Sequence, residues 1–85
     1  MARTVRVLLF AMARTAVGRA ELDWLVPARG MPAAELARAL AAAYPALGPV
    51  LSRSRLVRNG ESLRRPNERV RPGDEFAIHP PYGGG

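Results

Sequence analysis

Apolar residues recur along the chain in two rhythms, and these divide it into elements. Thr4-Val5-Arg6-Val7-Leu8-Leu9-Phe10-Ala11 is rich in β-branched and apolar residues and predicts a strand. Alternation sets Val5, Val7 and Leu9 on one face, and Arg6, Leu8 and Phe10 on the other. Both faces turn apolar towards the end. Leu8 and Phe10 therefore read either as core under a loop or as a sticky outer surface, since interface cores and interiors look alike in composition. Met12 to Arg19 reads as a connection turning at Gly18. Ala20 to Val26 alternates more cleanly, with Ala20, Leu22, Trp24 and Val26 inward and Glu21 and Asp23 towards water. Two strands with a short connection predict an antiparallel hairpin.

The rhythm changes at Pro32, which predicts the first position of a helix because its missing N–H costs nothing there. Ala33 to Ala43 is made of strong helix formers. Leu36 and Leu40 share one face, widened by Ala33, Ala37 and Ala43 or Tyr44. Gly30-Met31 offers no side-chain oxygen for a cap, so packing must hold this helix. Pro45 stops it. Leu47, Val50 and Leu51 predict one further short turn over the core.

Leu56-Val57-Arg58 predicts a short strand, Asn59-Gly60 a type I′ hairpin, and Glu61-Ser62-Leu63 the return. Pro66-Asn67 and Pro72-Gly73 are turns. Asp74 to His79 is the last strand, with Phe76 and Ile78 inward and Ala77 and His79 outward. A right-handed crossover through the helix brings the last strand parallel to the first, at the sheet centre. The expected fold class is α+β: a mixed sheet of four to five strands with one main helix packed on one face, in one domain.

The composition narrows the chemistry. The 85 residues contain no cysteine, which excludes thiolate chemistry and disulfides and suits a reducing, cytoplasmic setting. The apolar run from Val5 is too short to span a membrane, so no membrane association is expected. One histidine without cysteine predicts no metal site. Ser52, Ser54 and Ser62 are not placed beside His79 by anything in the sequence, so no hydrolytic triad is expected. Asp74 and Glu75 point to opposite faces and form no acid–base pair.

The net charge is +6, and all 13 basic residues are arginine. Arginine-rich codon usage accounts for this, although a lysine-free body also offers no ε-amine to an activated carboxyl group. The arginines are scattered, and no aromatic residues are interleaved with them as a stacking platform requires, so no nucleic-acid partner is expected.

The ending is the other distinctive stretch. Pro80-Pro81 fixes φ twice and favours an extended path. Tyr82-Gly83-Gly84-Gly85 then forms a thread narrow enough for a tunnel that admits backbone alone. The residues leave two readings open, a frayed terminus or a carrier arm with the Gly85 carboxylate as its working group.

Phe10-Ala11…Arg14…Gly18, Asn59-Gly60, Gly73-Asp74-Glu75 and above all Pro80-Pro81-Tyr82-Gly83-Gly84-Gly85 resemble the small subunit of molybdopterin synthase, over nearly the whole chain. The resemblance implies a ubiquitin-like β-grasp domain over residues 1–79 and an extended tail over 80–85. It implies a sulfur carrier, the non-catalytic subunit of a sulfurtransferase. Gly85 would be the acyl carrier, adenylated and then thiocarboxylated, with Gly84 the second obligate glycine. Pro80, Pro81, Tyr82 and Gly83 would thread into the partner, and Leu8, Phe10 and His79 would form the docking face. The implied partners are the large synthase subunit, an adenylyltransferase like ubiquitin-activating enzymes, and a sulfur-donor system. The chain would bind no cofactor itself, ATP being used by the activating partner.

Three features depart from that pattern. Tyr82 stands where a smaller apolar residue is usual, Gly83 where Ser, Thr or Ala is more common, and the charge is strongly basic. The same carrier chemistry also serves thiamine, cysteine or tRNA thiolation, or protein modification. A small basic module binding RNA or an acidic protein is the alternative from another class.

Overall fold

β1 (Thr4–Leu9) is the strand on which the molecule is assembled. Val5, Val7 and Leu9 are fully or almost fully buried on one face, as the alternation predicts. The computed structural model describes residues 3–81. Helix α1 (Ala11–Val17) follows where a connection is expected. Its signal is faint: seven residues, no side-chain cap, and small apolar positions at Ala13, Ala16 and Val17. That i, i+3, i+4 spacing marks the face that packs on the core. Gly18 closes the helix at φ +84°, its N–H donating to the Arg14 carbonyl at 2.7 Å.

β2 (Glu21–Leu25) pairs antiparallel with β1, Val7 opposite Leu22 and Val5 opposite Trp24. Leu22 and Val26 are buried, but Trp24 is half-buried and Ala20 is exposed. As an edge strand, β2 is covered less completely than an even alternation supposes.

β3 (Met31–Pro32) leads directly into α2 (Ala33–Ala43), so Pro32 caps the helix and does not occupy its first turn. β3 pairs with a strand absent from the sequence reading, β6 (Arg69–Val70), in a separate two-stranded sheet. The uncapped helix start is satisfied through backbone: Ala33 N–H donates to the Glu68 carbonyl at 2.8 Å and Ala34 N–H to the Pro66 carbonyl at 2.9 Å. Glu68 holds the donor loop in shape. Its carboxylate accepts from the Arg64 and Arg65 N–H groups at 2.7 and 2.9 Å and pairs with Arg58 at 3.4 Å. The Arg65 N–H, then the Arg64 N–H, hold its carboxyl below the ordinary glutamate range.

Helix α3 (Leu47–Leu51) is the expected short turn, with Leu47 buried. β4 (Arg55–Arg58) and β5 (Glu61–Ser62) form the predicted hairpin, with Asn59 at φ +50° and Gly60 at φ +84°. The Asn59 side chain also ties down the chain beside it, donating to Asp74 at 3.1 Å and accepting from Glu75 N–H at 2.8 Å.

β7 (Glu75–His79) lies between β1, to which it is parallel, and β4, to which it is antiparallel. The main sheet runs β2-β1-β7-β4-β5. Leu36 and Leu40 of α2 join Val5, Val7, Leu9, Phe76 and Ile78 in one core. Complete burial of each large side chain contributes roughly 1.5–3 kcal/mol. Val70 is buried in the same cluster, brought there by the pairing of β6 with β3 and its packing against α2. Ala77 corrects another expectation: it lies on the outer face yet is buried, set between Leu8 and Val57 on the flanking strands. The architecture is an α+β, ubiquitin-like β-grasp.

Candidate functional site

The parallel register of β1 and β7 decides what stands at the tail exit. Leu8 is opposite Ala77 and Leu9 opposite Ile78, so Phe10 and His79 are brought side by side just past the paired residues. Their rings stack, with centroids 4.4 Å apart and planes 13° from parallel. Phe10 is still 43% exposed and Leu8 half-buried. Phe10 owes its position to a sharp change of direction. It is itself extended, whereas Ala11 takes φ +49°, sparsely populated for a residue with a Cβ. The Phe10 carbonyl then accepts the Ala13 N–H at 2.9 Å, anchoring the first turn of α1.

The three residues assigned to a docking face, Leu8, Phe10 and His79, thus occupy one outer patch at the ends of the two central strands. Pro80 and Pro81 continue from that patch. Tyr82, Gly83, Gly84 and Gly85 lie outside the described residues.

Beside Pro80-Pro81 an open groove of about 760 Å³ is lined by Arg53, Ser54, Arg55, Ser62 and His79. The fold therefore gathers Ser54, Ser62 and His79, which the sequence does not place together. No hydrogen bond joins them among the described residues, and the Ser54 hydroxyl donates to the Val50 carbonyl at 2.7 Å. A nucleophile–base pair is not formed. Met12, Val50 and Arg53 border a smaller, mainly apolar recess against the same prolines, and Met12 is exposed. The sequence reading missed Arg53, Arg55 and Met12 as neighbours of the tail. Their approach depends on α1 and β4 packing against β7 and on α3 packing against α1, and no local pattern signals it.

Among the described residues, no cluster of acidic or histidine side chains has a metal-binding arrangement, and no helix is long and apolar enough to cross a membrane. The arrangement is that of a partly exposed patch of Leu8, Phe10 and His79 beside Pro80-Pro81.

A family model for the ThiS family matches residues 7–85. The chain belongs to the ThiS family. Among solved structures, this ThiS-family chain is similar to small archaeal modifier protein 1 from Haloferax volcanii, at 28% identity and a TM-score of 0.81, covering 96% of this chain and 99% of that one. The same modifier from Methanosarcina acetivorans is also 28% identical, with a TM-score of 0.80 and coverage of 100% and 98%. A chain of the complex of subunits 1 and 2 of molybdopterin-converting factor from Helicobacter pylori shares the fold at 21% identity, with a TM-score of 0.69 and coverage of 96% and 99%. No curated protein matches the sequence significantly. With its family, the chain is a ubiquitin-like sulfur carrier or modifier.

Proposed function

We propose that this protein carries sulfur as a thiocarboxylate on Gly85 and delivers it to the large subunit of a molybdopterin synthase for dithiolene formation. The observation that carries the reading is the placement of Pro80-Pro81. They leave the end of central strand β7 beside the exposed Phe10–His79 stack, so one partner can grip the patch and take the arm together.

The terminal carboxylate, with a reference pKa near ~3.5, is ionised and a poor electrophile at neutral pH. Activation by a partner makes it reactive. A carboxylate oxygen attacks the α-phosphorus of ATP and pyrophosphate leaves; a hydrosulfide ion from the sulfur donor then attacks the carbonyl carbon and expels AMP. The thiocarboxylate sulfur next attacks an electrophilic carbon of the acceptor and displaces an oxygen leaving group, and water then cleaves the acyl C–S bond, restoring the carboxylate and leaving the sulfur on the acceptor. This chain contributes the acyl group, a side-chain-free path at Gly83-Gly84-Gly85, and the docking patch of Leu8, Phe10 and His79. The complex described for the Helicobacter pylori subunits supports a large-subunit partner.

The test is intact mass after incubation with the adenylating enzyme, ATP and a sulfur donor. The expected product is heavier by about 16 Da, sulfur for oxygen. Deleting Gly84-Gly85 removes this gain without unfolding the domain. A truncated chain that still supports cofactor synthesis refutes the reading.

The 28% identity to archaeal modifiers favours a second use of the same activated terminus, acyl transfer to amines of other proteins. Recovery of adducts linking Gly85 to lysine side chains supports that use.

A further inference from the structure

The two grooves at opposite ends of the central strands differ in charge. At the start of β1 and β7, one groove is lined by Asp23, Asp74 and Glu75, with Arg6 the single cation among the described residues. At the tail exit, the ionisable side chains lining the groove are Arg53, Arg55 and His79, with no carboxylate among the described residues there. Arg55 stands directly opposite His79 in the β4–β7 register. Arg53 and Arg55 are both exposed, and neither is in a salt bridge among the described residues; the ion pairs present there are Arg6–Glu21 and Arg58–Glu68. The sequence leaves the arginines scattered, but the fold places two of them where the chain must meet a partner.

We propose that this groove is the docking site for an acidic segment of the adenylating enzyme that takes the tail, with Arg53 and Arg55 as its contacts. The proposal rests on the tail-handling function above and adds the chemistry of the partner's rim. Guanidinium groups present planar forks that match carboxylates bidentately. An acidic segment laid between Arg53 and Arg55 also reaches the edge of the Phe10–His79 patch, because His79 belongs to both. Charge then orients the partner before the apolar contact forms, since like-signed clefts steer oppositely charged ligands. A second copy of this chain is a poor occupant: each copy carries a net charge of +6 and repels the next.

The probe is a synthetic hexaglutamate peptide titrated into the full-length, isotope-labelled protein while backbone amide resonances are followed. The expected result is saturable shifts confined to Arg53, Ser54, Arg55 and His79, weakening at least tenfold in apparent affinity from low to physiological salt. The amides of Asp23, Asp74 and Glu75 stay still. The Arg53→Glu/Arg55→Glu variant loses the shifts and keeps its thermal unfolding temperature. Shifts spread evenly over all arginines, or unchanged in that variant, overturn the proposal. So does a short single-stranded RNA that occupies the same groove more tightly than the peptide.

With the adenylating enzyme, the variant raises KM about tenfold at unchanged kcat, as expected when about 1.4 kcal/mol of docking is lost. An unchanged KM overturns the proposal. Failure of the wild-type protein to gain sulfur bears instead on the proposed function and leaves the peptide titration to decide the docking site.

Discussion

Replacing Gly30 by alanine puts a methyl group where the fold has no room for it. Gly30 sits at φ +79°, and a Cβ there meets the Val70 carbonyl oxygen at 2.5 Å, the Arg71 Cγ at 2.9 Å and the Arg71 Cα at 3.2 Å. Two of these three atoms are backbone, so a change of side-chain rotamer cannot relieve them. Gly18 provides the control. Its φ is +84°, nearly the same, but a Cβ there has nothing within 4 Å.

The left-handed conformation alone costs an L-residue about 1–2 kcal/mol, partly offset by about 0.4–1 kcal/mol because alanine restricts the unfolded chain. Gly18→Ala should therefore destabilise by about 1 kcal/mol. Gly30→Ala adds a forced displacement of the β6 backbone, worth about 1–3 kcal/mol on the scale of overpacked interiors. The total comes to about 3 kcal/mol. For a domain of this size each kcal/mol moves the melting temperature by about 4–8 °C. Urea unfolding followed by circular dichroism measures both variants. Expected midpoints fall in the order wild type, Gly18→Ala, Gly30→Ala, with roughly 2 kcal/mol between the last two. Equal destabilisation of the two glycines refutes the close approach of the 30–32 segment to β6, and with it the account of how Val70 enters the core.

Other outcomes follow from the same contacts. Glu68→Gln should lower the urea midpoint at pH 7. Because the folded-state pKa of Glu68 is depressed, its contribution is present above the ordinary glutamate value and is lost as pH falls through the folded value. The midpoints of the two proteins should therefore converge on acidification, and a difference that persists to low pH counts against the carboxylate's role. Asn59→Ala removes both side-chain hydrogen bonds to the 74–75 segment and leaves an alanine at positive φ; urea unfolding should report a loss of about 2–3 kcal/mol. Phe10→Ala removes an exposed stack worth about 0.5–1.5 kcal/mol to the fold. Its larger effect should be a KM for thiocarboxylation raised about tenfold with kcat kept, as for loss of an interface anchor. An unchanged KM would exclude Phe10 from docking.

Much of this architecture is written in local pattern. The period-2 runs of β1 and β7, the Leu36–Leu40 stripe, the Asn59-Gly60 turn and the Pro80-Pro81 exit each express a preference held within a few consecutive residues. Such preferences survive in isolation because they depend on backbone sterics and side-chain spacing. The parallel placement of the first and last strands was also legible, since connection rules leave few alternatives. The patch of Leu8, Phe10 and His79 followed from alternation and strand order together.

Tertiary structure alone decided the remainder. Helix α1 is too short to hold itself, because nucleating a helix is costly and seven residues repay little of that cost. Its face forms because Ala13 finds the core. β6 and the burial of Val70 arise from two-residue pairings between segments almost forty positions apart, and no period marks so short a strand. The start of α2 lacks a side-chain cap, and its donors find carbonyls of the 66–68 loop. The charge at the tail exit belongs to the same class. Composition counted the arginines, but proximity to Pro80-Pro81 is set by where β4 rests against β7 and α3 against α1. Local preferences can name elements; only packing decides which surfaces those elements share.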